Sequence, residues 1–376
     1  MEKTFLIIVG EKSADNHGAK LIESIKMLEP ESRFIGLGGP NMVREGLYTI
    51  EDIEKLAIMG FSEVIKQLLF FLRLRKKIIR IIKKYKPDHI ILIDYPGFNL
   101  RLLKKIKKKF DIPITYYISP QIWAWKENRI RLIKKYVDQM LVIFKFEKMW
   151  YKERGLNVKY VGHPFFDQWE PTQKKIMQNL LKISKDKLLV TLYPGSRNQE
   201  LKRHLPLFIE IAKKIKEKIP ETHFIIGLAN NLEISSFIIP KWIIIERENP
   251  QISLECADLA LVCSGTATFE AAVYKTPMII IYKMSKISWL ITKLIVRVKF
   301  AGIINIIANN KIIPEYIQYE AQVDPIVKNS LDLLKNEKIN KEMKKNLKNI
   351  CKDLNSKGAS INVAKEIINY KNENKN

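Results

Sequence analysis

Residues 257–283, ADLALVCSGTATFEAAVYKTPMIIIYK, join two apolar runs through a short polar turn and a helical pattern. The first run ends at Ser264, Gly265 and Thr266, and Glu270 follows within the predicted helix. Small residues between a buried strand and a helix let backbone N–H groups approach an anion, which the helix N-terminus also favours. The stretch predicts a strand–helix–strand unit whose turn binds a nucleotide diphosphate, with Glu270 accepting hydrogen bonds from the ribose. Simple helix capping by Ser264 or Thr266 is the alternative.

Similar alternation runs through the whole chain, and several of the apolar runs are continuous, as in parallel strands covered on both faces. The fold class predicted is α/β with two Rossmann-like, doubly wound domains. We expect the domains at residues 1–168 and 186–350, with a polar connection at 167–187 and a C-terminal helix at about 358–376 that packs back on the first domain. The predicted strands are 4–9, 33–37, 89–94, 114–119, 139–144, 158–162, 188–193, 223–228, 242–245, 258–263 and 277–282.

Charge is the unusual feature of the composition, because 65 Lys and Arg against 40 Asp and Glu give a net charge of +25. Nucleic acid, an anionic membrane surface and phosphorylated substrates are the partners that such a charge favours, and a bias toward lysine on solvated helices is the alternative. The 3 cysteines form no CxxC pair, which argues against disulfides and a zinc site. Because no apolar run is long enough for a signal peptide or a bilayer span, we expect a cytosolic or peripheral protein.

The first predicted strand of the second domain, 188–193, runs into Pro194, Gly195, Ser196 and Arg197. Gly195 permits a close approach of the backbone to a ligand. Ser196 fits a capping box with Gln199, a structural role that competes with anion binding. A cap does not need Arg197, whose guanidinium suits an oxyanion that gains charge during a reaction.

Polar residues also follow the predicted strands of the first domain. Glu11, Ser13 and Asp15 surround the turn after the first strand, although acids at a helix start also suit the helix dipole. Asp94 ends a buried strand, where a carboxylate is costly unless it faces a cleft. Asp94 is therefore the candidate general base.

Two tryptophans, Trp123 and Trp125, lie in the turn after the strand predicted at 114–119. Core packing is the default for tryptophan, but a turn at the end of a strand also suits stacking on a sugar or an acyl chain. His163 lies at the expected domain junction, and we interpret it as a turn residue rather than a catalyst, while keeping it among the residues of the acceptor site.

Taken together, these motifs resemble the lipid-A-disaccharide synthase family, whose members are inverting glycosyltransferases with a GT-B fold, two Rossmann-like domains facing a cleft. The matching segments stand in family order and cover most of residues 5 to 320. They are GEKSAD, GLGGP, IMGFSEVI, IDYPGFN, YYISPQIWAWKENRI, FEKMWYKERGLNVKYVGHPFFD, YPGSRNQEL, the 257–283 stretch and IIPEYIQ.

The resemblance implies condensation of UDP-2,3-diacylglucosamine with 2,3-diacylglucosamine 1-phosphate into a β-1,6-linked lipid disaccharide phosphate, with release of UDP. It implies that the first domain binds the acceptor and that the second binds the donor. The family's catalytic aspartate falls on Asp94 and its arginine on Arg197, and the donor segment falls on 264–270. Asn305, Glu315 and Gln318 are further donor-site candidates. The resemblance implies no cofactor and no metal. It implies a homodimer, a cytoplasmic location and peripheral association with the inner membrane.

The sequence departs from the family pattern at three places. Ala14 stands where the family usually has Gly, and Gly97 stands where a second Asp is common. The usual LPN reads Ile303, Ile304 and Asn305, which keeps only the asparagine.

Three rival functions remain open at this point. A peptidoglycan glycosyltransferase and a UDP-N-acetylglucosamine epimerase would share the fold, but the SPQIWAW segment argues against both. A nucleic-acid-binding protein would exploit the net charge, but the chain lacks interleaved aromatic and basic recognition motifs, so we expect no nucleic-acid partner. We also expect Phe70, Phe71 and Leu74, which fall off the apolar stripe of their helix, to touch an anionic membrane or acyl chains.

Overall fold

The computed structural model describes residues 2–52, 64–167, 169–170, 187–229, 232–263, 265–296, 298–352, 354 and 357–373. Contacts divide the chain into two compact units. Unit 1 comprises Met1–Trp169 and Leu354–Asn376, and unit 2 comprises Glu170–Asp353. Most of the predicted connection at 167–187 lies outside the described residues.

Unit 1 is built on a parallel sheet of 7 strands in the order β3-β2-β1-β4-β5-β6-β7. The strands are β1 Thr4–Ile8, β2 Arg33–Gly38, β3 Leu47–Asp52, β4 His89–Ile93, β5 Ile114–Tyr117, β6 Gln139–Val142 and β7 Lys159–Tyr160. The helices are α1 Lys12–Leu28, α2 Pro40–Arg44, α3 Val64–Tyr85, α4 Pro96–Lys107, α5 Ile130–Tyr136 and α6 Lys145–Glu153.

Unit 2 repeats this architecture with 6 parallel strands in the order β10-β9-β8-β11-β12-β13. Its strands are β8 Leu189–Tyr193, β9 His223–Gly227, β10 Ile243–Glu246, β11 Leu259–Val262, β12 Met278–Tyr282 and β13 Glu315–Ile317. The helices are α7 Asn198–Lys218, α8 Pro250–Cys256, α9 Thr266–Tyr274, α10 Lys286–Ile295, α11 Ile303–Ala308, α12 Val323–Lys335 and α13 Glu337–Lys352. The predicted fold class, α/β with two doubly wound sheets, is confirmed.

The central strands form the core of each unit because both of their faces are covered by helices. Every residue of β4 and of β11 is buried. β1 pairs with β2 and β4, and β8 pairs with β9 and β11, all in parallel. The carboxyl ends of the strands in each sheet therefore lie along one edge, where α/β proteins bind ligands.

The chain returns to unit 1 in its last helix, α14 Ala359–Glu373. The Asp167 carboxylate accepts hydrogen bonds from the N–H groups of Gly358, Ala359 and Ser360, at 2.7, 2.9 and 2.7 Å. A carboxylate at a helix N-terminus satisfies unpaired N–H groups and suits the helix dipole. Asp167 thus anchors the start of the returning helix.

The structure contradicts part of the membrane contact that was predicted for helix α3. Leu74 is only 2% exposed, because it belongs to a buried stripe with Ile78 and Ile82. Phe71 is half-buried and packs against Tyr95 and Phe98, with ring centroids 6.5 and 5.7 Å apart. The prediction that Leu74 touches a membrane is therefore wrong. In the part of the chain that the structure describes, no helix has both the length and the apolar content to span a bilayer.

Candidate functional site

Asp94 lies at the carboxyl end of β4 in an uncommon backbone conformation. Asp94 and Tyr95 both have left-handed dihedral angles, with φ of 47° and 51°. The Asp94 N–H donates to the carbonyl of Tyr117 at 3.0 Å. The Asp94 carbonyl accepts from the Tyr116 hydroxyl at 2.5 Å and from the Asn99 amide at 2.8 Å. Such a conformation costs energy and persists only where surrounding contacts hold it, which is typical of functional sites.

Burial and a like charge make the Asp94 carboxyl a better base than an exposed aspartate. Burial, followed by the nearby Glu11 carboxylate, raises the pKa of Asp94 from 3.8 to about 6. The same two causes raise the pKa of Tyr95 to about 12. A carboxylate with a pKa close to neutral can accept a proton effectively at physiological pH. This environment is what a general base at the exit of β4 requires.

A group of cations lies beside Trp125 in unit 1. Trp125 is 38% exposed, with Lys126 Nζ 4.3 Å and Arg129 Cζ 5.3 Å from its ring centroid. Burial and the neighbouring charges of Arg101 and Arg129 lower the pKa of Lys126. Arg129 is close enough to the buried Tyr116 to affect its pKa, and the Tyr116 hydroxyl donates to the Asp94 carbonyl, so these cations are near the Asp94 turn. Together, Arg101, Lys126 and Arg129 form a site suited to a phosphate.

Other predicted residues of unit 1 have structural contacts. The buried Asp15 carboxylate accepts from the N–H groups of Gly39, Asn41 and Met42 at 2.8, 3.0 and 3.2 Å, so it caps α2. Ser13 is exposed in the first turn of α1. We therefore interpret Asp15 as a structural residue of the turn.

Trp123 and His163 are both buried, unlike Trp125. The Trp123 indole donates to the Glu147 carboxyl at 3.1 Å, and burial raises the pKa of Glu147 to about 7. The His163 ring accepts from the Phe165 N–H at 3.2 Å and packs on Phe144, and burial holds its pKa well below the ordinary value. These contacts favour packing roles for Trp123 and His163.

In unit 2, the loop after β8 is shaped by Gly195 and Glu200. Gly195 has φ of +122°, and a Cβ there would stand 2.5 Å from the Glu200 Cβ. The Glu200 carboxylate accepts from the Ser196 N–H at 2.9 Å. The N-cap of α7 is Arg197, one residue later than expected, so the capping box predicted at Ser196 and Gln199 is not formed. Arg197 stands at the start of α7 with 68% of its side chain exposed.

The turn after β11 leads into helix α9 without a hydrogen bond from a capping side chain. The N-cap is Gly265, with φ of +128° and no heavy atom within 4 Å of a Cβ built there. Thr266 is the exposed first residue of the helix. Burial raises the pKa of the half-buried Glu270 to about 7. Ser264, the remaining predicted residue, lies outside the described residues.

His204 connects two strand exits of unit 2 and is not among the residues predicted from the sequence. Its buried ring contacts the Pro194 carbonyl through Nδ1 at 3.1 Å and accepts from the Lys283 N–H through Nε2 at 2.8 Å. Nδ1 therefore carries the proton, and burial lowers the pKa of the ring. His204 holds the loop after β8 against the loop after β12. A histidine ten residues after Pro194, on a helix face that packs on the sheet, was the only available signal.

Asn305, Glu315 and Gln318 form contacts within unit 2 itself. The side-chain N–H groups of Asn305 donate to the Ile313 carbonyl at 2.8 Å and to the Glu315 carboxylate at 2.7 Å. The side-chain oxygen of Asn305 accepts from two backbone N–H groups of the same loop. Glu315 also accepts from the Gly302 N–H at 2.9 Å. The Gln318 amide pairs with the N–H and the carbonyl of Met284 at 3.0 and 3.2 Å. These contacts support the loops, and direct contact with a donor stays a prediction.

The structure thus brings together three strand exits on one edge of the unit 2 sheet, because β8, β11 and β12 are neighbours. In unit 1 it brings the exit of β1 to that of β4, where a Cβ on Gly10 would overlap the Tyr95 ring at 2.1 Å. Among the side chains that the structure describes, no group of three His, Cys, Asp or Glu residues could hold a metal ion.

Comparison with known proteins decides the family. The family model described as lipid-A-disaccharide synthetase matches residues 5–368. The chain belongs to this family. A lipid-A-disaccharide synthase of Coxiella burnetii (strain CbuG_Q212) is 36% identical over 371 residues, which cover 98% of each chain. The predicted family and the prediction of an enzyme are therefore confirmed, and members of the lipid-A-disaccharide synthetase family are glycosyltransferases.

Solved structures extend the comparison to the fold of the family. The calicheamicin glycosyltransferase CalG4 aligns with a TM-score of 0.62 at 13% identity and covers 99% of both chains. A putative UDP-N-acetylglucosamine 2-epimerase from Listeria monocytogenes aligns with a TM-score of 0.65 at 13% identity, covering 96% of this chain and 94% of that chain. At this identity the similarity shows the fold alone, and it agrees with the GT-B class expected of the lipid-A-disaccharide synthetase family.

Proposed function

We propose that this protein condenses UDP-2,3-diacylglucosamine with 2,3-diacylglucosamine 1-phosphate, giving a β-1,6-linked disaccharide 1-phosphate and UDP. The observation that carries the proposal is the Asp94 turn. It combines a backbone held in a costly conformation with a carboxyl pKa of about 6, in a chain of the lipid-A-disaccharide synthetase family. Holding the backbone of this turn in a left-handed conformation without a catalytic need would cost stability for no evident gain.

On the acceptor side, unit 1 supplies the base. The 6-hydroxyl oxygen of the acceptor attacks C1 of the donor sugar, and Asp94 takes the hydroxyl proton. A positioned base contributes about 10²–10⁴ to the rate. The cations Arg101, Lys126 and Arg129 bind the 1-phosphate of the acceptor, and Trp125 offers a face for the sugar. This arrangement orients the acceptor by its charged end and leaves its hydroxyl for the base.

On the donor side, unit 2 stabilises the leaving group. The bond between C1 and the diphosphate oxygen breaks as the new glycosidic bond forms, so negative charge builds up on UDP. Arg197 and the N-termini of α7 and α9 are the positive groups available near the exits of β8 and β11. Glu270 accepts hydrogen bonds from the ribose diol, and His204 holds the Arg197 loop in place. The attack from the opposite face inverts the anomeric centre.

The substrates that we propose also bear on location and assembly. Both carry acyl chains, so we propose that the protein works at the cytoplasmic face of the inner membrane as a peripheral protein. The net charge of +25 favours an anionic lipid surface. A homodimer follows from the family resemblance, and sedimentation of the purified chain would test it.

The test uses the full chain with both diacylglucosamine substrates in detergent micelles. Mass spectrometry should detect the disaccharide phosphate together with UDP in equal amounts. Asp94→Ala should lower turnover by about 10²–10⁴ while its melting temperature and its stabilisation by UDP stay close to wild type. Asp111→Ala changes an exposed aspartate of the same unit and serves as the control. Epimerised donor without disaccharide, or full activity of Asp94→Ala, would refute the proposal.

A further inference from the structure

Helix α10 leaves a set of large apolar side chains in solvent. Ile287, Leu290, Ile291 and Leu294 are 75%, 64%, 50% and 80% exposed. Their spacing of three and four residues puts them on one side of the helix. We call this set the α10 face. Scattered exposed apolar residues are ordinary, but a contiguous row on one helix marks an interaction surface.

The helix that carries the α10 face is capped at its start, and the residue before the cap is held by hydrogen bonds to unit 2. The Ser285 hydroxyl caps it by accepting from the Ser288 N–H at 3.1 Å. Gln318 holds the backbone of Met284, immediately before the cap, through two hydrogen bonds. Thr292 contacts the Met284 sulfur at 3.4 Å from the side opposite the α10 face. The exposed face therefore belongs to a well-formed helix.

Charge indicates which partner the α10 face accepts. Residues 283–299 contain five Lys or Arg and no Asp or Glu. Lys286 and Lys293 are exposed on α10 itself, and Lys299 is exposed shortly after the helix ends at Ile295. An apolar row bordered by basic residues is the pattern of helices that lie in the interface of an anionic membrane. A second copy of this chain is a poor partner for the α10 face, because it would bring the same basic border to this surface, so we expect the proposed homodimer to use another surface.

We propose that the α10 face inserts into an anionic lipid bilayer and docks unit 2 on its surface. This inference rests on the proposed function, because lipid-linked substrates must be taken from a membrane. Helix α10 follows β12, the strand next to β11, at the sheet edge where the donor diphosphate is proposed to bind. Docking there would leave the donor's acyl chains near the bilayer while its nucleotide reaches the turn after β11.

The experiment measures co-sedimentation of the full chain with vesicles of phosphatidylglycerol and phosphatidylethanolamine, and with vesicles of phosphatidylcholine alone. The variant Ile287→Ser/Leu290→Ser/Leu294→Ser should weaken partitioning to the anionic vesicles by about a hundredfold, because these side chains would lose their burial in lipid. Lys286→Gln/Lys293→Gln should weaken it by roughly fivefold for each lysine, and only on anionic vesicles. Since all of these side chains are exposed, melting temperatures should not change.

The control is Met149→Ser/Ile238→Ser, which removes two exposed apolar side chains outside α10 and should bind vesicles like wild type. Wild-type partitioning of the serine variant of the α10 face would overturn the proposal. So would a wild-type oligomer that dissociates in that variant, since a second copy would then cover the face. Glycosyl transfer in detergent micelles, measured on the same variants, should be retained. If wild type shows no glycosyl transfer, the proposed function is refuted. The vesicle result would still test the membrane proposal by itself.

Discussion

Replacing Glu11 with Gln should move the acidic limb of the pH–rate profile to lower pH. Burial is the larger cause of the raised Asp94 pKa, and the Glu11 carboxylate is the second. The substitution removes only the second cause, so the pKa of Asp94 should fall below about 6 but stay above 3.8. A base with a pKa of about 6 is about nine-tenths ionised at pH 7 and about one-tenth ionised at pH 5. Wild-type kcat/KM should therefore drop about tenfold over this interval, and the variant should lose less.

The assay is release of UDP in micelles, followed across the acidic range for wild type, Glu11→Gln, Asp94→Asn and the control Glu31→Gln. Glu31 is an exposed acid of the same unit, so its variant should keep the wild-type limb. Asp94→Asn should lower kcat/KM by about 10²–10⁴, and its pH–rate profile should no longer show the acidic limb. An acidic limb that persists in Asp94→Asn would refute the assignment of Asp94 as the base. An acidic limb that is unchanged in Glu11→Gln would refute the coupling between the two carboxylates.

Three further outcomes test other parts of the site. His204→Ala should raise the KM for the UDP-sugar by about tenfold with a smaller effect on kcat, because the Arg197 loop loses its link to Lys283; an unchanged KM would contradict this positioning role. Asn305→Ala should lower the free energy of unfolding by about 2–4 kcal/mol in urea titrations, because buried groups lose their partners. Lys126→Ala/Arg129→Ala should raise the KM for the phosphorylated acceptor by about ten- to a hundredfold but not for an acceptor without phosphate, with Arg131→Ala as the control.

The fold could be predicted from the sequence because central parallel strands are continuous apolar runs, as in β4 after His89 and in all of β11. Two edge strands were not predicted. In β3, Tyr48 is 63% exposed, since an edge strand with a solvated face does not need a continuous apolar run. β13 has only 3 residues, too few for a period to appear. Edge strands depend on pairing with a neighbour that the local sequence does not reveal.

The strand exits could be predicted as candidate sites because topology puts them on one edge of a sheet. The direction in which each polar side chain points could not be predicted. Asp15 accepts hydrogen bonds from three backbone N–H groups of the next loop, and Gln318 accepts one from the backbone of Met284. Both side chains therefore make hydrogen bonds within the protein. Leu74 looked free on a helical wheel but is buried, while α10 exposes its apolar row. Periodicity identifies a face of a helix, and tertiary contacts decide whether that face meets protein or solvent.

Anchoring of α14 by Asp167 has a consequence for how the chain acquires its shape on the ribosome. Unit 1 needs residues from both ends of the chain, whereas unit 2 is a single uninterrupted segment. Unit 2 can therefore fold while translation continues, but unit 1 must wait until its last helix has left the exit tunnel. During that interval the incomplete unit would display the surface of α1 that α14 later covers, which makes the nascent chain a natural client for chaperones.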